Sequence, residues 1–104
     1  MNPVIENNKP GIEGLCKAHN VKELYVFGSV LRPDFSDNSD IDFLVIFNDN
    51  LQRPLERVEN EDALKQSLES LLQKEVDLIQ YNLIRNKYLR YFINQEKQLL
   101  YAEA

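Results

Sequence analysis

Two apolar runs dominate the hydrophobic pattern of the chain, and each has the length of a strand. The run LYVF at residues 24–27 ends at Gly28, and the run IDFLVIF at 41–47 is interrupted only by Asp42. A short continuous run of this kind is typical of a strand that is covered on both faces. EVDLIQY at 75–81 predicts a third strand, and QLLYA at 98–102 predicts a short edge strand.

Three other segments show the spacing of amphipathic helices, over residues 10–20, 55–73 and 83–95. Their predicted apolar positions are Ile12, Leu15 and Cys16 in the first, Leu55, Val58, Ala63 or Leu64, Leu68, Leu71 and Leu72 in the second, and Leu83 or Ile84, Tyr88, Leu89, Phe92 and Ile93 in the third. Helices that alternate with strands predict an α/β (α+β) fold, with a small mixed β-sheet flanked by helices.

Length and charge limit the number of domains and the kinds of partner that we expect for this chain. With 104 residues, the chain is expected to form one domain over 1–104. Its formal net charge of −5 argues against duplex nucleic acid as a partner, since binding phosphates without sequence preference requires basic residues. The sequence has no apolar leader and no run of 18 apolar residues, so we expect a cytoplasmic protein without a membrane partner.

Cys16 and His19 are the only cysteine and histidine of the chain. A single cysteine cannot form an internal disulfide, and a zinc site here would need carboxylates from distant segments. We therefore expect a packing role for Cys16 and a surface role for His19.

Aspartates are crowded just before and within the second predicted strand. Asp34, Asp37, Asp40 and Asp42 lie within nine residues that contain no base, so their mutual repulsion favours a bound cation. Asp40 and Asp42 are two positions apart, which places both side chains on one face of the strand at roughly 6 to 7 Å between Cα atoms. Carboxylate oxygens favour Mg²⁺ or Mn²⁺. Asp77, which interrupts the third strand, is the best candidate for a third ligand.

The pair Gly28-Ser29 follows the first strand and predicts a single helical turn. Glycine permits close approach of the backbone, and the exposed N–H groups with the Ser29 hydroxyl form a corner suited to phosphate. Arg32 is close enough in sequence to reach the same anion or to pair with Asp34. Taken singly, each feature has a plainer explanation: a simple turn at Gly28-Ser29, a solvated loop around the aspartates, and a salt-bridged acid at Asp77.

In combination, these residues resemble a known family. Gly28 and Ser29, ten further residues and then Asp40-x-Asp42 reproduce the GSx10DxD motif of nucleotidyltransferases related to DNA polymerase β, and FGSVLRPDF with SDIDFLV is similar to the minimal nucleotidyltransferases. The resemblance implies that Gly28 and Ser29 hold the triphosphate of ATP. It also implies that Asp40, Asp42 and Asp77 hold two Mg²⁺ ions, with Mn²⁺ as an alternative, and that Asp77 activates the attacking hydroxyl. Arg32 and Ser39 are companions of the motif near the nucleotide.

The resemblance further implies a partner protein. Minimal nucleotidyltransferases of the MntA type are antitoxins paired with a helical HEPN-type RNase toxin, and some transfer AMP to a tyrosine of the toxin. Two alternatives remain open at this point: transfer to a small hydroxylated acceptor such as an aminoglycoside, or a non-catalytic antitoxin or interaction module.

A cluster of aromatic and basic residues near the C-terminus agrees with a protein partner. Aromatic and arginine side chains are common anchors of interfaces. The alternative is that most of these residues belong to the core and to a solvated face. The cluster consists of Tyr88, Tyr91, Phe92, Tyr101, Arg85, Lys87 and Arg90.

Overall fold

The structure is a computed structural model that describes residues 2–32 and 39–104, with the backbone alone at Ser29. Its helices are α1 (Pro3–Asn7), α2 (Lys9–Ala18), α3 (Pro54–Leu72) and α4 (Lys87–Glu96). Its strands are β1 (Val21–Phe27), β2 (Ile41–Phe47), β3 (Val76–Gln80) and β4 (Gln98–Ala102). Two 3₁₀ turns, Gly28–Leu31 and Tyr81–Leu83, follow β1 and β3 directly.

The strands form one mixed sheet in the order β3-β2-β1-β4. β2 pairs antiparallel with β1 and parallel with β3, while β1 pairs antiparallel with β4 at the edge. A parallel pair requires a crossover connection, and α3 supplies it between β2 and β3. The predicted mixed sheet flanked by helices is confirmed, including the central position of the 41–47 strand.

The two faces of the sheet are covered unequally. Helices α1, α2 and α3 close one face, where they bury Ile5, Ile12, Cys16, Leu64 and Leu68 against the strands. On the opposite face, a smaller cluster joins Leu44 of β2 to Ile84 and Ile93 around α4. Polar groups that project from the strands on the α4 face therefore have access to solvent.

The helix boundaries follow local capping signals. Asn2 accepts a hydrogen bond from Val4 N–H at 2.8 Å and precedes Pro3, which explains the short helix α1 that the apolar pattern alone does not predict. Asn86 accepts from the N–H groups of Tyr88 and Leu89. Because of this cap, α4 begins at residue 87 rather than at the predicted residue 83.

Two predicted apolar positions of α3 are wrong. Leu55 and Val58 are 68% and 56% exposed, because only the second half of the helix meets the sheet, where Leu64, Leu68 and Leu72 are buried. An apolar side chain at helical spacing thus marks a candidate core face but does not establish that the helix reaches the core along its full length.

The expected roles of the cysteine and the histidine have different outcomes. Cys16 is fully buried, as predicted, and burial raises the pKa of its thiol to about 12, so the thiol is not a nucleophile at neutral pH. His19 is partly buried rather than on the open surface, because its Nδ1 donates to the carbonyl oxygen of Leu15 at 2.8 Å at the end of α2. In the described parts of the chain, no helix has the length and apolarity needed to span a membrane.

Candidate functional site

Asp42 and Asp77 lie side by side on neighbouring strands. They are register partners in the parallel pair β2–β3, so both project from the α4 face of the sheet, the face on which Leu44 packs. A shift of one residue in β3 would have turned Asp77 to the opposite face. The structure therefore brings together the two acids whose proximity the sequence leaves undecided.

Asp40 stands at the edge of this pair. It lies just before β2, two residues from Asp42, and its side chain is exposed. Ser39 is partly buried next to it. Asp34 and Asp37, the other members of the predicted aspartate cluster, are outside the described residues. The described cluster is thus Asp40, Asp42 and Asp77 on one edge of the α4 face.

The electrostatics of Asp42 reflect this crowding. Its pKa is raised from 3.8 to about 6, first by burial, then by the charge of Asp77, by a hydrogen bond with Asp77 and by the charge of Asp40, while the charge of Arg32 opposes the shift. A cation between the two side chains would relieve the same repulsion without a proton.

Gly28 packs closely against the Asp42 carboxylate. Phe27 is the register partner of Asp42, and the next residue, Gly28, has φ +77°. A Cβ atom at Gly28 would lie only 2.5 Å from Asp42 Oδ2. The site therefore requires glycine for two reasons, the left-handed backbone and the close approach of a carboxylate.

The turn after Gly28 carries the rest of the predicted phosphate corner. Residues Gly28–Leu31 form a 3₁₀ turn, as the sequence predicts, and Ser29 belongs to it, although its hydroxyl lies outside the described atoms. Arg32 follows the turn with an exposed side chain that is close enough to Asp42 to oppose its pKa shift. The motif residues therefore meet at the end of β1 and the start of β2.

Glu96, the last residue of α4, also belongs to this corner, although sequence reasoning missed it. The Gly28 N–H donates to Glu96 Oε1 at 3.1 Å, and Arg32 Nη2 lies 3.9 Å from Glu96 Oε2. Glu96 is 68 residues from Gly28 in sequence, so no local pattern links the two. The only hint is an acid at the end of a helix, where the helix dipole disfavours negative charge.

The acids fit a metal that is held jointly with phosphate. Among residues 2–32 and 39–104, no group of three or more acidic, histidine or cysteine side chains is gathered closely enough to hold a metal ion alone. Mg²⁺ is commonly bound through one or two carboxylates together with substrate phosphates. The adjacent Asp42 and Asp77 carboxylates, with Asp40 nearby, match that requirement.

A separate cavity of about 200 Å³ lies at the other end of the sheet. Its polar lining is largely used by the fold: Arg57 Nε donates to the Leu51 carbonyl oxygen, and Asn60 Nδ2 donates to the His19 carbonyl oxygen. It contains none of the motif residues. The motif edge, rather than this cavity, is the candidate active site.

The predicted aromatic cluster divides into two parts. Tyr88, Tyr91 and Phe92 are 67%, 60% and 66% exposed and, with the exposed Leu89, lie on one side of α4; we call these four residues the α4 surface. Arg90 instead stacks on the Tyr81 ring at 4.5 Å and donates to the Ile84 carbonyl oxygen. The prediction of an exposed cluster holds for the α4 surface, whereas Arg90 serves the fold.

The remaining members of the cluster also separate by exposure. Arg85 and Lys87 are exposed beside the α4 surface, while Tyr101 is partly buried against the main core. Two basic side chains thus lie beside one end of the α4 surface, on a chain whose formal net charge is −5.

Comparison with known proteins agrees with the motif. The sequence family described as "Polymerase beta, Nucleotidyltransferase" matches residues 11–104. A relative from Methanocaldococcus jannaschii, named "Putative protein adenylyltransferase MJ0435", is 42% identical over 66 residues, which cover 64% of this chain and 66% of the relative. About a third of that relative therefore lies outside the match.

Solved structures share the fold. One described as "Structure of putative minimal nucleotidyltransferase" superimposes with a TM-score of 0.75 at 27% identity, covering 94% of this chain and 95% of that one. Another, "Crystal structure of the toxin-antitoxin with AMP-PNP", has a TM-score of 0.70 at 26% identity, covering 92% of this chain and 74% of that one. The chain belongs to the polymerase beta nucleotidyltransferase family, as its Gly-Ser and paired-aspartate motif predicts.

Proposed function

We propose that this nucleotidyltransferase transfers AMP from ATP to a hydroxyl of a partner protein, a tyrosine of a HEPN-type RNase toxin, and so acts as its antitoxin. The observation that carries the proposal is the pairing of Asp42 with Asp77 directly beside the Gly28 turn. This arrangement places acidic ligands next to backbone N–H groups suited to phosphate, as nucleotidyl transfer requires.

Each motif residue has a role in this proposal. Asp40, Asp42 and Asp77 would hold two Mg²⁺ ions, or Mn²⁺, and bound there the ions would neutralise the charge of the phosphates and align the attacking and leaving oxygens. The Gly28 and Ser29 N–H groups bind the triphosphate, while Arg32 and Ser39 lie at its edge. Ligands that are held in place by the sheet keep the reacting groups aligned. Alignment and electrostatic stabilisation together provide most of the rate enhancement.

The transfer itself is a displacement at the α-phosphorus. The acceptor hydroxyl oxygen forms a bond to this phosphorus, the bond to the bridging oxygen of the β-phosphate breaks, and pyrophosphate leaves. Asp77 accepts the hydroxyl proton, because its side chain is exposed on the edge strand β3, where an acceptor hydroxyl can reach it.

Two findings support AMP and a protein acceptor. The Methanocaldococcus jannaschii relative carries the name of a protein adenylyltransferase, and the toxin–antitoxin structure contains an ATP analogue. The α4 surface adds a physical argument, because exposed aromatic side chains concentrated on one helix are typical of a protein interface. We propose that the toxin docks on this surface, with acidic groups placed against Arg85 and Lys87.

Replacing Tyr91 and Phe92 together with alanine is expected to weaken capture of the toxin by at least about tenfold, since anchor residues contribute most of the binding free energy. The folding free energy should change by less than about 1 kcal/mol, because both side chains are largely exposed. The loss of toxin capture is measured in pull-downs, by titrating the partner protein against the wild type and the variant. A double replacement of Leu55 and Val58, equally exposed on α3, is the matched control, and equal capture by both variants would contradict the docking proposal.

The proposed activity is tested by incubating the purified chain with Mg²⁺, lysate of its host and ATP labelled at the α-phosphate. We expect a labelled protein band that is lost in an Asp40→Asn/Asp42→Asn variant and in excess chelator, and no band when the label is at the γ-phosphate. Label in a small molecule alone would point to an aminoglycoside-type acceptor. Nucleotide binding without any labelled product would indicate a binding-only antitoxin, and transfer in excess chelator would contradict the metal roles.

A further inference from the structure

Glu96 occupies the corner that the proposed function assigns to phosphate. Its Oε1 accepts a hydrogen bond from the Gly28 N–H at 3.1 Å, and its Oε2 lies 3.9 Å from Arg32 Nη2. One carboxylate therefore contacts both a backbone donor and a basic side chain of the motif. A phosphate oxygen would use the same two partners.

The position of Glu96 is unfavourable for its own helix. Negative charge at a helix C-terminus is opposed by the helix dipole, and the last turn of α4 contains no basic residue to offset it. The adjacent Lys97 lies over the rings of Tyr25 and Tyr81, at 4.4 and 4.8 Å, rather than beside Glu96. Helix stability thus does not explain an acid here, whereas the contacts with Gly28 and Arg32 do.

The Gly28 N–H needs a partner in any state of the protein. Gly28 is buried, and a buried N–H without an acceptor is costly. Glu96 supplies an acceptor when no nucleotide is bound, and its side chain is 41% exposed, so it can turn toward solvent when a phosphate takes its place. The two anions cannot share the corner, because like charges in contact repel strongly.

We propose that Glu96 is a displaceable internal anion of the nucleotide site, which a phosphate of the nucleoside triphosphate must replace at the Gly28 N–H and at Arg32. Glu96 is then an affinity-determining residue: it lowers the affinity for nucleotide. The inference rests on the proposed function, since it takes the Gly28 corner to be the phosphate site.

The test measures binding of Mg²⁺ with a non-hydrolysable ATP analogue by calorimetry to the wild type, Glu96→Gln and Glu96→Ala. We expect both variants to bind about five- to tenfold more tightly, with Ala at least as tight as Gln, because a competing charge-assisted hydrogen bond is removed. Glu59→Gln, which removes the same charge from an exposed position on α3, is the control and should bind like the wild type.

Two results would overturn the inference in different ways. If the wild type binds the analogue and both Glu96 variants bind equally or more weakly, Glu96 does not compete with phosphate, and the proposed nucleotide site stands. If neither the wild type nor any variant binds the analogue, the proposed function fails and the inference fails with it. Tighter binding by Glu59→Gln to the same extent would also overturn it, because net charge alone would then explain the gain.

Discussion

Asp42→Asn is expected to lower the rate of nucleotidyl transfer by at least about a hundredfold while making the ligand-free protein more stable. The loss of rate follows because an amide is a poor ligand for Mg²⁺ and carries no charge to balance the ions, and electrostatic contributions of this kind are commonly worth two to three orders of magnitude. The gain in stability follows because the carboxylate is held beside Asp77 and Asp40, and burial together with that repulsion raises its pKa to about 6.

The same substitution should remove a pH dependence. Because the pKa of Asp42 is raised in the folded chain from 3.8 to about 6, the folded state holds the proton more tightly than the unfolded state. The stabilisation that protonated Asp42 gives to the folded state is therefore fully present below pH 4, and it is lost as pH rises through about 6. At pH 8 the free energy of unfolding of the Asn variant should exceed that of the wild type by about 1 kcal/mol, a value that is reduced for solvent screening. The difference should vanish near pH 4.

Urea denaturation in chelator between pH 4 and pH 8, together with the α-label assay, measures both effects. Asp62→Asn, at an exposed aspartate of α3, is the matched control and should change neither the rate nor the pH profile. An Asp42→Asn variant that is less stable than the wild type at pH 8, or that keeps its activity, would contradict the account of the acidic pair.

Gly28→Ala is expected to destabilise the protein by about 2 kcal/mol and to reduce transfer at least about a hundredfold. The left-handed backbone at φ +77° costs an L-residue about 1 to 2 kcal/mol, and the added Cβ would meet Asp42 Oδ2 at 2.5 Å. The turn or the carboxylate must then shift, and displacements of about 1 Å at a reacting centre commonly cost two orders of magnitude.

Gly14→Ala provides the control for this substitution. Gly14 lies inside α2, and a Cβ atom added there would meet no other atom within 4 Å, so alanine should stabilise the helix by about 0.5 to 1 kcal/mol and leave transfer unchanged. Thermal unfolding and the α-label assay compare the two variants. Equal stability and activity in Gly28→Ala and the wild type would show that the close packing of Gly28 on Asp42 is not required.

The motif residues could be named from the sequence because their types and spacing are local features of the chain. Alternation predicts Asp40 and Asp42 on one face, yet only Asp42 lies within β2, and Asp40 lies just before the strand, where alternation does not fix its direction. Asp77 could be named as an acid that interrupts an apolar strand, but its position beside Asp42 depends on the register between β2 and β3, which is a property of the assembled sheet.

Glu96 and the α4 surface show why the rest was harder to predict. Glu96 reaches Gly28 only because α4 packs across the sheet, and contacts between residues so far apart in sequence leave no local pattern. The apolar spacing of α4 predicts a helix face that packs against other residues, yet only Ile93 of this helix is buried within the chain. A helical pattern does not distinguish a face that packs on the core from an exposed face that can bind another protein.

We propose above that Asp40, Asp42 and Asp77 hold divalent ions against the phosphates of a nucleotide. The most direct measurement is anomalous diffraction from crystals grown with Mn²⁺ and a non-hydrolysable ATP analogue. We predict anomalous peaks beside these three carboxylates, with a phosphate at the Gly28 N–H. A bound nucleotide with no anomalous peak beside these carboxylates would contradict the account.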